Sequence, residues 1–167
     1  MKIKENFLEK SFFIDIQQKI LDDEFPWRKR SKDHVFDYSL YFVYNFYFKN
    51  NITSELWNSI ILPILNKLEV AAILEVRANM FINKLFKKSL LHYDYTYQNS
   101  KTSILYLDTN NGGTELKIKN KIHFIKAEEN KLLTFDAKTL HRSVPATDKE
   151  TRYILNFNYF PTNYGKI

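Results

Sequence analysis

Two histidines and one aspartate are the residues of this chain best suited to act on a common centre. His92 and Asp94 stand one residue apart in Leu91-His92-Tyr93-Asp94-Tyr95. If that segment is extended, the two-residue period puts both on one face and turns Tyr93 away. His141 follows Asp94 by 47 residues, with hairpins between them to return it to the same place. Two imidazoles and a carboxylate make a facial ligand set that suits Fe(II) and leaves three positions open. The same types also serve a surface His paired with a neighbouring acid, or the zinc of a hydrolase. The chain has no cysteine, which excludes disulfides, thiolate zinc sites and a cysteine nucleophile, so any metal must be held by nitrogen and oxygen. His34 and His123 lack a partner at ligand spacing and read as structural.

Arg152 comes 11 residues after His141 and opens the run Arg152-Tyr153-Ile154-Leu155-Asn156-Phe157-Asn158-Tyr159-Phe160. Alternation puts Tyr153, Leu155, Phe157 and Tyr159 on one face, suited to packing under helices. The other face carries Arg152, Ile154, Asn156 and Asn158, which is oddly polar for a strand that otherwise looks buried. Polar groups inside a barrel need partners, and a guanidinium there can grip a carboxylate through two hydrogen bonds.

The elements that would position these residues are helical in the front half and extended in the back. Ser11 to Asp23 shows helical spacing and stops at Phe25-Pro26-Trp27; Thr53 or Ser54 can cap a second helix running to Leu68, with Pro63 marking a kink or a boundary. Strands are expected at Val70 to Phe81, Thr102 to Asp108, Glu115 to Lys119, Ile122 to Lys126, Leu132 to Phe135 and Arg152 to Phe160. Asn110-Asn111-Gly112-Gly113 holds two of the three glycines and reads as a tight hairpin turn needing positive φ. The expected fold is α+β and mainly β: a double-stranded β-helix, the cupin-like jelly roll, with N-terminal helices packed on one sheet.

With 167 residues the chain supports a single domain, 1–167, able to bury roughly 70% of its unfolded surface. No run approaches the ~18 apolar residues of a spanning helix, and Met1 to Asn6 lacks a signal-peptide core, so no membrane association and a cytoplasmic location are expected. The net charge of +6 rests on 20 Lys against 5 Arg. Together with the abundance of Asn, Ile, Phe and Tyr, that excess reflects an AT-rich genome more than a polyanionic partner. The local cluster Arg28, Lys29, Arg30 and Lys32 reads as a solvated loop after a helix.

These motifs together resemble the Fe(II)- and 2-oxoglutarate-dependent dioxygenases, in particular their small prolyl-4-hydroxylase-like and phage-type branch. The resemblance runs through Phe25-Pro26-Trp27, Val76 to Met80, His92-Tyr93-Asp94 and Ile104 to Asp108. It continues through Asn111-Gly112-Gly113-Thr114, Asn130 to Asp136 and His141-Arg142-Ser143-Val144-Pro145 to Arg152. It implies that His92, Asp94 and His141 bind Fe(II) and act as the catalytic centre, and that Arg152 binds the distal carboxylate of 2-oxoglutarate with help from the Tyr106 phenol. It also places Asn79 and Asn156 in the cosubstrate pocket. Prolyl-hydroxylase relatives carry a Tyr near Phe81, a hydroxyl this chain lacks. The chemistry implied is oxidative decarboxylation of 2-oxoglutarate by molecular oxygen, giving succinate, carbon dioxide and a hydroxylated substrate, with ascorbate a further reductant of the family.

The resemblance implies a prolyl residue or a small metabolite as substrate, in a bacterial cytoplasm or in that of a host cell if the gene is viral. Tyr93, Tyr95, Tyr97 and Arg142 lie close enough to the ligands in sequence to face it, and loops 28–37 and 83–101 would set its identity. A nucleic-acid oxidative demethylase of the same superfamily would carry a second Arg six residues after the first, where this chain has Asn158. A jelly roll that binds without turnover would not need the triad and Arg152 together, and a zinc hydrolase would leave Arg152 unexplained.

Overall fold

A computed structural model describes residues 1–30, 41–83 and 88–162. Short elements come first: β1 (Lys2–Lys4), α1 (Lys10–Ile20), β2 (Arg28–Lys29), β3 (Tyr41–Phe48), β4 (Asn51–Ile52), a 3-10 turn (Glu55–Trp57) and α2 (Ile61–Lys67). The strands β5 (Val70–Ile82), β6 (Lys101–Tyr106), β7 (Gly113–Ile118), β8 (Lys121–Lys126), β9 (Leu132–Asp136), β10 (His141–Val144) and β11 (Thr151–Pro161) follow. The larger antiparallel sheet runs β1-β9-β6-β11-β5-β3-β2, with β4 paired to β3, and the smaller runs β10-β7-β8. His92 extends the smaller sheet by a bridge to His141, with N–H···O bonds of 2.9 and 2.7 Å in the two directions.

The two sheets enclose one apolar layer, in which Phe81, Ile104, Phe135 and Ile154 meet Leu116 and Ile125. A second layer covers the outer face of the large sheet, where Phe13, Ile16 and Ile20 of α1 and Ile61 and Ile64 of α2 pack with Val76, Leu105, Leu155 and Phe157. The alternation read along β11 therefore holds: Tyr153, Leu155, Phe157 and Tyr159 join the helix-side layer, and Ile154 faces inward. This is the jelly-roll architecture expected from the strand pattern. No helix among the described residues is long and apolar enough to cross a membrane.

Three local expectations change. The single helix expected from 53 to 68 is divided: Ser54 Oγ accepts from Leu56 N–H at 3.1 Å to start the 3-10 turn, and α2 begins only at Ile61. Pro63 falls in its first turn, where the missing N–H removes no intrahelical bond. The front half also supplies a strand, β3, beside β5. Its run Tyr-Phe-Val-Tyr-Asn-Phe-Tyr-Phe shows no polar alternation because both faces are covered, Tyr41 and Val43 from inside and Tyr44 and Phe46 from the helix side. Arg28 and Lys29, read as loop, form the edge strand β2 against β3; Lys32 and His34 lie outside the described residues.

The Gly-Gly segment is likewise not a tight hairpin, since it carries the chain from β6 in the large sheet to β7 in the small one. Positive φ is found instead at Lys49-Asn50 and Lys119-Asn120, the two-residue turns closing β3–β4 and β7–β8. Glycine is required by close approach: a Cβ on Gly113 would lie 2.1 Å from Ile125 O, and one on Gly112 2.7 Å from Ala146 N. Both obstacles are backbone. Gly113→Ala is expected to cost about 3 kcal/mol in urea unfolding; an unchanged midpoint would show that the crossing can open without loss.

Candidate active site

His92, Asp94 and His141 converge, with one potential ligand atom from each lying within 4.8 Å of the others. Asp94 Oδ1 is 3.9 Å from Nε2 of both histidines. The segment around Asp94 is a bend, not the extended strand expected, and convergence comes from the His92–His141 bridge plus that bend. Both imidazoles are oriented alike. Nδ1 of His92 is 2.9 Å from Leu90 O, and Nδ1 of His141 is 2.9 Å from Thr139 O. A carbonyl only accepts, so Nδ1 carries the proton in each ring and the lone pair of Nε2 faces Asp94. Outer-shell carbonyls of this kind fix the tautomer of metal-binding histidines.

Asp94 is almost enclosed. Its Oδ2 accepts from Asn156 Nδ2 at 3.2 Å, and Arg77 Nη2 stands 3.6 Å from Oδ1. Burial alone would push the carboxyl up; the Arg77 guanidinium, with the hydrogen bond from the Asn156 amide, outweighs it and holds Asp94 below its ordinary value. Burial also depresses His141, opposed by Asp94 and reinforced by His92. The centre thus presents an anionic carboxylate and a neutral buried imidazole, the protonation states a divalent cation needs.

Both groups have folded values below their unfolded ones, so both contribute stability at neutral pH and lose it as pH falls. The first loss begins below about 6.5, the ordinary value of His141. Urea unfolding of the metal-free protein should show a falling midpoint between pH 7.5 and 5.5, and His141→Gln should flatten it. An equally steep slope in that variant would place the titration elsewhere.

The centre opens into a cavity of about 700 Å³. Glu75, Arg77, Asn79 and Phe81 line it from alternate positions of β5, joined by Thr114, Ser143 and Asn156, with Tyr93 and Tyr95 beside the triad. Tyr97 stacks on Tyr95 with ring centroids 5.8 Å apart. Arg142 is held instead by Glu115 at 2.7 Å, which also accepts from Lys88 at 2.5 Å. Arg30 lines the cavity over the ring of Tyr41 at 4.8 Å. His123 lies exposed on β8.

Behind this lining sits Arg152, fully buried. Its Nη2 donates to Ser143 Oγ, and its guanidinium lies 4.4 Å from the centroid of the Phe81 ring. Nε and Nη1 are buried without a hydrogen-bond partner. Burial lowers its pKa to about 10, which still leaves it charged at neutral pH. Tyr106, also fully buried, donates to Thr114 Oγ1 at 2.8 Å, and burial pushes its phenol up to about 12. Asn79 Oδ1 is a third buried atom without a partner. Asn156 lines the cavity, but its amide is committed to Asp94 and to Asn158, whose Nδ2 donates to Asn156 Oδ1 at 2.9 Å.

The sequence reading missed Glu75, Arg77 and Ser143. Arg77 is partly buried, donates to Glu75 Oε2 at 2.7 Å and leaves its buried Nε without a partner. The signal was available: Glu75, Arg77 and Asn79 alternate with buried Val76 and Ala78, the same anomaly of a polar face on a buried strand that singled out Arg152.

No protein-family model and no curated protein matches this chain. Solved structures do. A prolyl hydroxylase from Trichoplax adhaerens, in complex with a hypoxia inducible factor oxygen degradation domain peptide fragment, is 16% identical, with a TM-score of 0.71 over 95% of this chain and 82% of that one. A prolyl-4-hydroxylase from Pseudomonas putida is 12% identical, with a TM-score of 0.73 over 96% and 91%. HygX from Streptomyces hygroscopicus, with nickel and 2-oxoglutarate bound, is 8% identical, with a TM-score of 0.61 over 98% and 84%. At these identities the likeness shows a shared fold, that of the prolyl hydroxylases and 2-oxoglutarate-dependent oxygenases, and the His-Asp-His donor set fits it.

Proposed function

We propose that this chain is an Fe(II)- and 2-oxoglutarate-dependent oxygenase that hydroxylates a peptidyl or small-molecule substrate and releases succinate and carbon dioxide. The observation that carries this reading is Arg152: a charged guanidinium, fully buried, with two nitrogens unpartnered behind a cavity whose wall holds the three-donor centre. An unpaired buried charge is costly, and a dicarboxylate offers the missing acceptors in the bidentate form that arginine fits. A zinc hydrolase or a binding-only jelly roll gives that cost no purpose.

The donor chemistry fits the group. Nε2 of His92, Nε2 of His141 and Asp94 Oδ1 would hold Fe(II), which suits two imidazoles and one carboxylate with open positions. Fe(II) supplies the activation of molecular oxygen when bound; the protein supplies binding, orientation and exclusion of water. Arg152 takes the distal carboxylate of 2-oxoglutarate through Nη1 and the second N–H of Nη2, the outer edge on which a guanidinium can grip a carboxylate. Tyr106 stays protonated far above neutral pH, and its single O–H, which goes to Thr114 Oγ1 in the ligand-free fold, would turn to that carboxylate on binding. Asn79 belongs to the same pocket through its unpartnered amide oxygen. Phe81 covers the guanidinium where a tyrosine would add a hydroxyl, and Ile104 and Ile154 line the cavity on the same side. Asn156 serves the pocket indirectly, by holding Asp94.

The open side of the cavity, beside Tyr93 and Tyr95, receives the substrate. The peptide bound to the Trichoplax hydroxylase supports a peptidyl prolyl group as a candidate. The demethylase alternative loses ground, because Asn158 is used up inside the sheet. Aerobic incubation with Fe(II) and 2-oxoglutarate, alone and with prolyl peptides or small metabolites, should release succinate by NMR. Failure to form succinate under all these conditions, in folded protein that binds metal, would contradict the proposal.

A further inference from the structure

The Asp94 carboxylate is backed by a single file of hydrogen bonds through the large sheet. Thr102 Oγ1 on β6 donates to Asn158 Oδ1 at 2.7 Å, Asn158 Nδ2 donates to Asn156 Oδ1 at 2.9 Å, and Asn156 Nδ2 donates to Asp94 Oδ2 at 3.2 Å. The direction is fixed by chemistry. An ionised carboxylate only accepts, so the Asn156 amide must turn its NH2 toward Asp94 and its oxygen toward Asn158. Asn158 must then present its own NH2 to Asn156 and its oxygen to Thr102, and a hydroxyl can donate there. Every link points toward the carboxylate, and aligned links polarise one another.

Thr102 and Asn158 are fully buried and Asn156 nearly so. Stability does not explain them, because replacing a buried hydrogen-bonded pair by apolar groups of the same shape is close to neutral. What apolar residues could not supply is a donor aimed at Oδ2, which leaves Oδ1 to face Nε2 of both histidines. The register reinforces this. Asn156 is the β5 register partner of Arg77, which approaches Oδ1, so the residues at the two carboxylate oxygens are themselves paired across the sheet. Asn158 is the register partner of Thr102, and β11 shifts register against β5 between Asn158 and Tyr159. An irregularity of that kind re-aims a side chain within a ladder.

We infer that Thr102 and Asn158, neither of which touches the centre, are positioning residues that act through Asn156 to hold Asp94 as a one-oxygen metal ligand. This rests on the reading of His92, Asp94 and His141 as a metal centre and goes beyond it by placing a determinant of metal affinity on β6.

The test is Co(II) titration of the metal-free protein, following the visible absorption of the bound ion. Thr102→Val and Asn158→Leu should each weaken Co(II) binding about tenfold, the lower end for outer-shell partners, and shift the band. Thr102→Ser, which keeps the donor, should behave as wild type. Thr102→Val added to Asn156→Leu should have no further effect. Near-UV circular dichroism checks that each variant is folded; if Asn158→Leu is not, the near-isosteric Thr102→Val and Thr102→Ser pair decides. Wild-type affinity and band in Thr102→Val would overturn the inference and leave the metal reading standing. A wild-type protein that binds no Co(II) would overturn both, whereas Co(II) binding with the predicted variant pattern but no succinate would sink only the oxygenase.

Discussion

Arg152→Met is expected to make the protein more stable and its cosubstrate binding far weaker. In the ligand-free fold the guanidinium is fully buried, bonded through one nitrogen to Ser143, and otherwise unpaired. Methionine fills a similar volume without that charge. Replacing poorly compensated buried charge by an apolar side chain stabilises by about 1–4 kcal/mol. For a domain of this size, a gain near 2 kcal/mol raises Tm by about 6 °C. The same change removes two charge-assisted hydrogen bonds to the distal carboxylate, each worth roughly 1.5–3 kcal/mol. The 2-oxoglutarate KM should therefore rise by a factor of about 10² to 10⁴. Thermal melting and succinate kinetics on one preparation check both halves. A lower Tm with unchanged KM would mean that Arg152 is structural.

Asp94→Ala should fail in the opposite way. Asp94 already has its partners without metal, so alanine strips Arg77 of a counter-charge and leaves the Asn156 amide pointing at nothing. Removing one member of a buried charged group costs about 3–5 kcal/mol, which at this chain length lowers Tm by about 10 °C. Losing a direct ligand should cost more than the 10- to 100-fold of an outer-shell change, so divalent metal affinity should drop by about 10³ and succinate formation should vanish. Calorimetry of the variant with Mn(II) is the check; metal binding within tenfold of wild type would remove Asp94 from the centre. The contrast between these variants separates a charge awaiting a ligand from one the fold has already paired.

What could be read from residues alone depended on how local the signal was. His92, Asp94, His141 and Arg152 were legible because their types are rare here, with four His and five Arg in the chain, and because the alternation in β11 exposed an anomalous face. The two-sheet architecture followed from strand spacing. β3 escaped because a strand covered on both faces loses its period of two and reads as a featureless aromatic run. β10 escaped because four residues are too few to show any period. The glycine pair was assigned the right importance for the wrong reason: its constraint is the approach of Ile125 O and Ala146 N, which are distant in sequence, and not a local φ. Arg77 and the Thr102–Asn158–Asn156 file depend on which strands are neighbours. The order β6-β11-β5 is a tertiary fact that no window of the sequence contains.

The proposed function requires one pocket to hold Fe(II) on His92, Asp94 and His141 and 2-oxoglutarate on Arg152 at the same time. Its most direct test is the visible spectrum of the anaerobic protein titrated with Fe(II) and then with 2-oxoglutarate. A broad charge-transfer band is expected that requires both additions, is absent in His92→Ala, and in Arg152→Met appears only at much higher 2-oxoglutarate. No band in folded wild-type protein, or one that persists unchanged in His92→Ala, would contradict it.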